Sequence, residues 1–382
     1  MEISRKVENM QPSGIRAFFD LVLGLKEVIS LGVGEPDFVT PWVIREAGIY
    51  SLEQGFTSYT SNKGLYKLRL GLHRYLKSKY NLDYSPDDEM LVTVGVSEGL
   101  DLALRTIINP GDKIIVPIPS YVSYGPVAEL AGGIPVYVDT TKDGFKLTPE
   151  KLARAIDRKT RGLILNYPHN PTGVSYRRKE LEALGKVVSR HGLICICDEV
   201  YDDLTYDFEH TPFASLAGLK ENTIYLNGFS KSFAMTGWRV GFACGNKEVI
   251  SGMTKIHQYT IMCVPITSQM AAAEALVSGK KPVEEMKREY NRRRLFVVDE
   301  LNLMGLACDK PQGAFYVFPS IQKTGLSSLE FSQKLLDQEK VAVVPGTAFG
   351  RCGEGFIRIS YASSMESLKE SLRRINRFLG KL

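Results

Sequence analysis

The sequence predicts an α/β protein with a mostly parallel sheet covered by helices on both faces, followed by a smaller α+β unit. Three observations carry this. Between residues 90 and 244, short runs that are apolar throughout alternate with longer amphipathic stretches. After residue 280 the pattern changes to one long charged stretch, three short β-like runs and a closing amphipathic stretch. The chain has 382 residues, 44% of them hydrophobic, which is enough for two or three domains around a large core.

The elements follow in order. Residues 90–94 (MLVTV) read as a strand and Gly95 follows it. Residues 97–107 have helical spacing, with Leu100, Leu102, Ala103, Leu104 and Ile107 as the apolar set. The turn Asn109-Pro110-Gly111-Asp112 leads to a strand at 113–117, and 134–138 is a third. A helix spans 148–156, with Pro149 suited to its first turn. Residues 161–166 (RGLILN) form a strand, 177–191 an amphipathic helix, and 193–197 (LICIC) a buried strand. Strands at 223–227 and 240–244 continue the style. The stretch 281–304 reads as one long helix that Gly305 ends. The short β-like runs are 314–318, 341–344 and 356–361, and the last helix is 365–379. A boundary falls near residue 280. The first 45 residues contain the turn-rich Gly32-Val33-Gly34-Glu35-Pro36-Asp37.

Composition excludes several classes. The formal net charge of +5 suits anionic small molecules but shows no clustering of the kind nucleic acid requires. No stretch approaches ~18 uninterrupted apolar residues, so no membrane span is expected. The N-terminus carries charges and lacks the apolar region of a secretory signal. Six cysteines without a C-x-x-C read as reduced thiols of a cytoplasmic protein. Cys195 and Cys197 are expected on one strand face as small buried hydrophobes. The five histidines show no ligand spacing, so no metal is expected. Gly32-x-Gly34 lacks the third glycine of a dinucleotide fingerprint, and no phosphate-binding G-x-x-x-x-G-K-[ST] is present. The run Arg292-Arg293-Arg294 is expected on a solvated or interdomain face of the long helix.

Three clusters carry chemistry. Lys231, with Ser230 and Ser232 beside it, follows one strand, and Arg239 follows eight residues later between Gly237 and Gly241. Asp198 ends the apolar run LICIC, with Tyr201 three residues on. Asn170-Pro171-Thr172-Gly173 follows the strand RGLILN. A lone lysine of this kind is most often a surface residue. Here all three clusters fall at the C-terminal edge of predicted parallel strands, where α/β sheets bind ligands. A carboxylate there is costly unless it meets a cation.

These residues sit within a longer series of motifs: SLGVGEPDF (30–38), Tyr59 with GLYKLR (64–69), VTVGVSEGL (92–100), PSYVSY (119–124), NYPHNPTG (166–173), CDEVYDDLTYD (197–207), NGFSKSFAMTGWRVGF (227–242), PQGAFYVFP (311–319) and GFIRISYA (355–362). In their joint order and spacing, over essentially the whole chain, the sequence resembles the class I/II aminotransferases. These are pyridoxal-phosphate enzymes of fold type I, and the likeness is greatest to the aromatic and aspartate aminotransferases of bacteria and archaea. The resemblance implies a seven-stranded, mostly parallel sheet in a large cofactor-binding domain (46–280). It implies a smaller α+β domain from 1–45 and 281–382, with an N-terminal arm.

The resemblance also implies roles. Lys231 would bond the aldehyde of pyridoxal 5'-phosphate, because only a primary amine makes a link that a substrate amine can displace. Its freed amine would then move the substrate proton, which requires a lowered pKa. Asp198 would keep the pyridine nitrogen protonated, and Tyr201 and Asn170 would hydrogen-bond the ring oxygen. Tyr121 would stack on the ring. Arg239, Ser230 and the amides of Val96 and Ser97 would hold the phosphate at a helix N-terminus. Arg358 would grip the substrate carboxylate, approached by the backbone of Gly34. Asn170 and Tyr121 would also border the substrate. Without the resemblance, the alternation of 357–361 would put Arg358 in solvent. Tyr59 would reach the phosphate of a second subunit, so a homodimer is implied. Two departures stand out. Some members carry a serine phosphate ligand three residues before the lysine, where this chain has Gly228. GVSEG offers no Thr or Lys, so its amides are expected to serve.

The implied activity is ping-pong transfer of the amino group of an L-amino acid to a 2-oxo acid such as 2-oxoglutarate. Aromatic donors are favoured and breadth to aspartate is expected. Aspartate- or alanine-type specificity and a lyase on the same fold are the alternatives. A non-catalytic amino-acid sensor is disfavoured because Lys231 is in place.

Overall fold

Runs that are apolar on both faces can bury both only between two layers of helices, and this is how the central sheet forms. The structure, a computed structural model, describes residues 2–8, 10, 12, 14 and 27–382. Part of the expected N-terminal arm, 15–26, lies outside the described residues. The strands are β1 (Ile29–Ser30), β2 (Met90–Thr93), β3 (Lys113–Ile118), β4 (Ile134–Asp139), β5 (Thr160–Asn166), β6 (Ile194–Asp198), β7 (Thr223–Gly228), β8 (Gly241–Cys244), β9 (Tyr316–Val317), β10 (Val341–Ala342), β11 (Val344–Pro345) and β12 (Ile357–Ser360). Seven of them form one sheet in the order β2-β8-β7-β6-β5-β3-β4. All pairings are parallel except those of β8, which runs against both β2 and β7.

Successive residues of the middle strands feed opposite cores, as a period of two requires. Ile164 and Ile196 join the core under the helix Gly95–Ile107, with Leu100, Leu104 and Ile107. Leu163, Leu165, Cys195 and Cys197 face the other way, onto Leu181, Leu184 and Val188 of the helix Arg178–His191. Cys195 and Cys197 share a face as expected, with their sulfurs 3.3 Å apart. β4 is an edge strand and none of its residues is fully buried. Helix starts follow local chemistry. The Thr148 hydroxyl accepts from the Lys151 amide ahead of Pro149, and Ser327 and Glu330 form a capping box.

The remaining strands join the two ends of the described chain. β1 pairs in parallel with β10, and β11, β12 and β9 form an antiparallel sheet. The Leu31 amide donates to the Ala342 carbonyl (2.8 Å) and the Ser360 amide to the Leu31 carbonyl (2.7 Å).

The arginine run matches the expected solvated or interdomain face only in part, because its three residues do not share one face. On the helix Lys280–Leu303, Arg292 is exposed, but Arg293 and Arg294 are buried. Three consecutive helical residues point in three directions, ~100° apart, so one charge run cannot share a single face. Among the described residues no helix is long and apolar enough to cross a membrane.

Candidate active site

Parallel strands end at one edge of the sheet, and the site is built there. β5 ends on Asn166 and β6 on Asp198, while Lys231 follows β7 by three residues. β8 is antiparallel, so it begins where its neighbours end, and this brings Arg239, two residues before it, to the same edge. β2 ends beside them and runs into the helix Gly95–Ile107. A cavity of about 460 Å³ opens at this edge. Its walls include Lys231, Asp198, Tyr201, Asn170, Tyr121, Arg239, Ser230, Val96, Ser97, Arg358 and Gly34. Tyr59, by contrast, does not line this cavity and is 81% exposed.

Asp198 is buried at the strand end. The Tyr124 hydroxyl donates to its Oδ2 (2.8 Å) and the Val200 amide to its Oδ1 (3.3 Å). Burial pushes the carboxyl up to about 6, against the pull of these donors and of Lys231. Asn166 Nδ2 donates to the Asp198 carbonyl (2.8 Å), and Asn166 Oδ1 accepts from the Asn170 amide (2.9 Å). One asparagine thus ties the strand end to the Asn170 loop.

Lys231 Nζ donates to the Gly34 carbonyl (2.6 Å). Burial lowers the amine to about 8, and the neighbouring cations Arg358 and Arg239 act in the same direction while Glu35 and Asp198 oppose them. At the other end of the cavity, Gly95 takes φ +71° to open its helix, and Arg239 itself holds φ +51°, an uncommon conformation for a side-chain-bearing residue. A Cβ on Gly95 would lie 2.6 Å from Arg239 Nη2, and one on Gly241 would lie 2.8 Å from the Val96 nitrogen. Glycine at both positions lets the guanidinium close on the helix N-terminus, an arrangement suited to a phosphate.

Arg358 is 2% exposed. Its Nη1 donates to Asn170 Oδ1 (2.8 Å) and its Nη2 to the Gly32 carbonyl (2.6 Å). Both partners are neutral. The Nε is buried with no partner, and the guanidinium stacks 4.5 Å from the Tyr316 ring centroid. The alternation of β12 suggested solvent on this side, but the strand is buried on both faces. Its second face is covered by the residue 31–34 loop, which is distant in sequence. A Cβ on Gly34 would lie 2.7 Å from the Tyr316 hydroxyl, so a side chain there would push that hydroxyl aside.

The Tyr201 hydroxyl pairs with that of Tyr316 (2.9 Å). Sequence reasoning gave no role to Tyr316, Tyr124, Asn166 or Glu35, all of which line the cavity. Each lies inside a stretch that carried the resemblance.

The residues present fit pyridoxal phosphate. The donor set offers a helix N-terminus with an arginine for the phosphate and a buried carboxylate for a protonated ring nitrogen. It adds a primary amine of lowered pKa for the aldehyde and a buried arginine with neutral partners for a carboxylate.

Comparison with known proteins agrees. The family described as aminotransferase class I and II matches residues 26–375. The aspartate aminotransferase of Pyrococcus abyssi is 45% identical over 383 residues, covering 99% of this chain and 98% of the relative. The aromatic-amino-acid aminotransferase 2 of Thermococcus litoralis is 43% identical, with coverage of 99% and 98%. The solved structure of the Thermus thermophilus aspartate aminotransferase with maleate superimposes with a TM-score of 0.94, at 37% identity and 99% coverage of both chains. An edge-of-sheet aspartate, lysine and arginine in this order, and relatives of this closeness, lead to one conclusion: the chain belongs to the class I and II aminotransferases, pyridoxal-phosphate-dependent enzymes of fold type I.

Proposed function

We propose that the enzyme moves the amino group of an L-amino acid to a 2-oxo acid such as 2-oxoglutarate by a ping-pong mechanism, with aromatic donors favoured and aspartate tolerated. The observation that carries this reading is Arg358, a buried cation whose protein partners are neutral. Such a group is costly without an anion, and a planar carboxylate matches its fork. Four tyrosines, Tyr121, Tyr124, Tyr201 and Tyr316, border the same cavity and suit an aromatic side chain. Relatives named for aspartate and for aromatic amino acids support a broad range.

In this reading Arg358 binds the α-carboxylate and orients Cα toward Lys231. When bound, pyridoxal phosphate supplies an aldehyde that takes up the amino group and a protonated ring that withdraws the electrons left at Cα. Arg239, Ser230 and the amides of Val96 and Ser97 hold the phosphate. Asp198 holds the proton on the ring nitrogen, Tyr121 faces the ring, and Tyr201 and Asn170 donate to its oxygen. Lys231, with its amine lowered to about 8, takes the proton from Cα as a general base. One arginine and one lysine serve both halves, so the first oxo acid leaves before the second enters.

We further propose a homodimer in which Tyr59 reaches the partner's phosphate. Support comes from the exposed apolar side chains Ile49, Tyr50, Leu52, Phe56 and Tyr59 in one short segment. A cytoplasmic setting is supported by six free cysteines. A division into 46–280 and 1–45 with 281–382 is supported by the confinement of the large sheet to 90–244. The test is a rapid-mixing screen of aromatic, acidic and aliphatic amino acids against the holoenzyme, followed by absorbance of the cofactor. Aromatic donors should react fastest. A response to none of them, or turnover retained in Lys231→Ala, would overturn the reading.

A further inference from the structure

One residue of the arginine run on the helix Lys280–Leu303 turns toward the loop that borders the site. Arg293 is 6% exposed. Its Nη1 donates to both oxygens of Asp37 (2.8 and 2.9 Å), and its Nε donates to Glu289 (2.9 Å). The guanidinium also lies over the rings of Phe38 and Tyr290, at 5.3 and 5.6 Å. Those rings pack edge-on at 5.4 Å, and the Tyr290 hydroxyl reaches the same Asp37 oxygen (3.4 Å). Asp37 is therefore held by the Arg293 charge and the Tyr290 hydroxyl, while two aromatic rings flank the guanidinium.

Asp37 lies at the end of the loop that carries the two carbonyls facing the cavity cations. Gly32 accepts from Arg358 and Gly34 from Lys231. The loop is fixed at its start by Leu31, through β10 and β12, and Pro36 stiffens the stretch that leads to Asp37. Beyond it, Thr40 donates to the Ala234 carbonyl (2.6 Å). Between these anchors the charged tether is Asp37–Arg293, and it reaches a helix that contributes no residue to the cavity.

We propose that Arg293 is a positioning residue that acts through Asp37 to hold the Gly32–Gly34 carbonyls in register with Arg358, and so sets the affinity for carboxylate substrates. This rests on the reading of Arg358 given above. Arg358 is partly satisfied by the Gly32 carbonyl. A loop free to shift by an ångström changes how its remaining donors are aimed, and misplacements of that size cost binding or rate. The neighbouring Arg294 turns to Asp207 (2.8 and 3.0 Å) and the Pro311 carbonyl (2.6 Å), so it does not substitute.

The experiment uses the holoenzyme and 3-phenylpropionate, which has a carboxylate but no amine and so binds without reacting. Calorimetry should show binding weakened about tenfold in Arg293→Met. Asp37→Asn should show a similar loss, and the double variant no more than either alone. Arg293→Lys should fall between, because an ammonium can replace the Nη1 contact to Asp37 but not the Nε contact to Glu289 as well. In steady state KM should rise while kcat and cofactor content hold. Unchanged affinity in Arg293→Met and Asp37→Asn, or additive losses in the double variant, would overturn the proposal. A loss of cofactor and of thermal stability in step with affinity, in Arg293→Lys as well as Arg293→Met, would also overturn it, as a structural role. Arg358→Lys is measured alongside. If it too leaves affinity unchanged, the reading of Arg358 fails. If it weakens binding while the Arg293 and Asp37 variants do not, only the positioning role fails.

Discussion

In the proposed reading the cavity has two halves built in different ways. The cofactor half, with Asn166, Asp198, Lys231 and Arg239, is delivered by strands of one sheet, and each residue stands at or within three positions of its strand's end. The carboxylate half joins Arg358 on β12 to the Gly32 carbonyl, 326 residues away in sequence. The first half is held by its own strand-end neighbours, as Asn166 and Tyr124 hold Asp198. The second depends on contacts between the two ends of the chain, so it can fail without the first. That separation suits the proposed ping-pong reaction, in which the cofactor would stay while successive carboxylates come and go.

Four changes would break or sharpen this comparison. The largest effect is expected from Asp198→Asn, which should cut kcat/KM about 10³-fold for every donor, because electron withdrawal is common to all. A loss confined to one donor class in steady-state assays would show the halves to be mixed. Next, Arg358→Lys should lower kcat/KM about 10²-fold for amino and oxo acids alike, with the bound cofactor retained. Release of cofactor on gel filtration would contradict independent halves.

A smaller effect is expected from Tyr124→Phe. Asp198 sits at about 6 because burial outweighs its hydrogen bonds. Removing the Tyr124 donor raises it further, and a protonated carboxyl cannot pair with a protonated ring. Cofactor affinity measured by dialysis should therefore begin to fall at a higher pH than in the parent, and an unshifted acid limb would rule out the contact. The smallest is a stability effect in the cofactor-free protein. Lys231 is lowered to about 8 from its ordinary value of 10.5, so between those values the unfolded chain binds the extra proton and stability rises with pH. Below about 8 the full cost of a buried cation is present. Lys231→Met should raise the neutral-pH Tm by roughly 2–5 °C, and the gain should shrink as pH rises above about 8. A gain independent of pH would assign it to packing instead.

Much of the cofactor half was legible in the sequence, because a buried parallel strand leaves a local signature and its end has a known use. LICIC followed by Asp198 is readable without a structure. Arg358 was not. Its strand alternates, and alternation normally separates a wet face from a dry one. Here both faces are dry because the loop at 31–34 folds over the second. Tyr316 lies in a quoted motif, but its meeting with Tyr201 spans 115 residues, and no local pattern encodes that. The run Arg292-Arg293-Arg294 looks uniform as a string of letters, yet on a helix it divides into one solvated residue and two buried clamps.

By itself the sequence determined the strand and helix order, the sheet edge that carries the chemistry and, through its motifs, the enzyme family. These depend on short-range periodicity and on residue types that few reactions require. The tertiary structure alone decided which distant groups share a partner: Arg358 with Asn170 and Gly32, Tyr201 with Tyr316, Arg293 with Asp37. Each is a contact of charge or hydroxyl across a long loop, and its worth comes from desolvation at a place that only the folded chain defines.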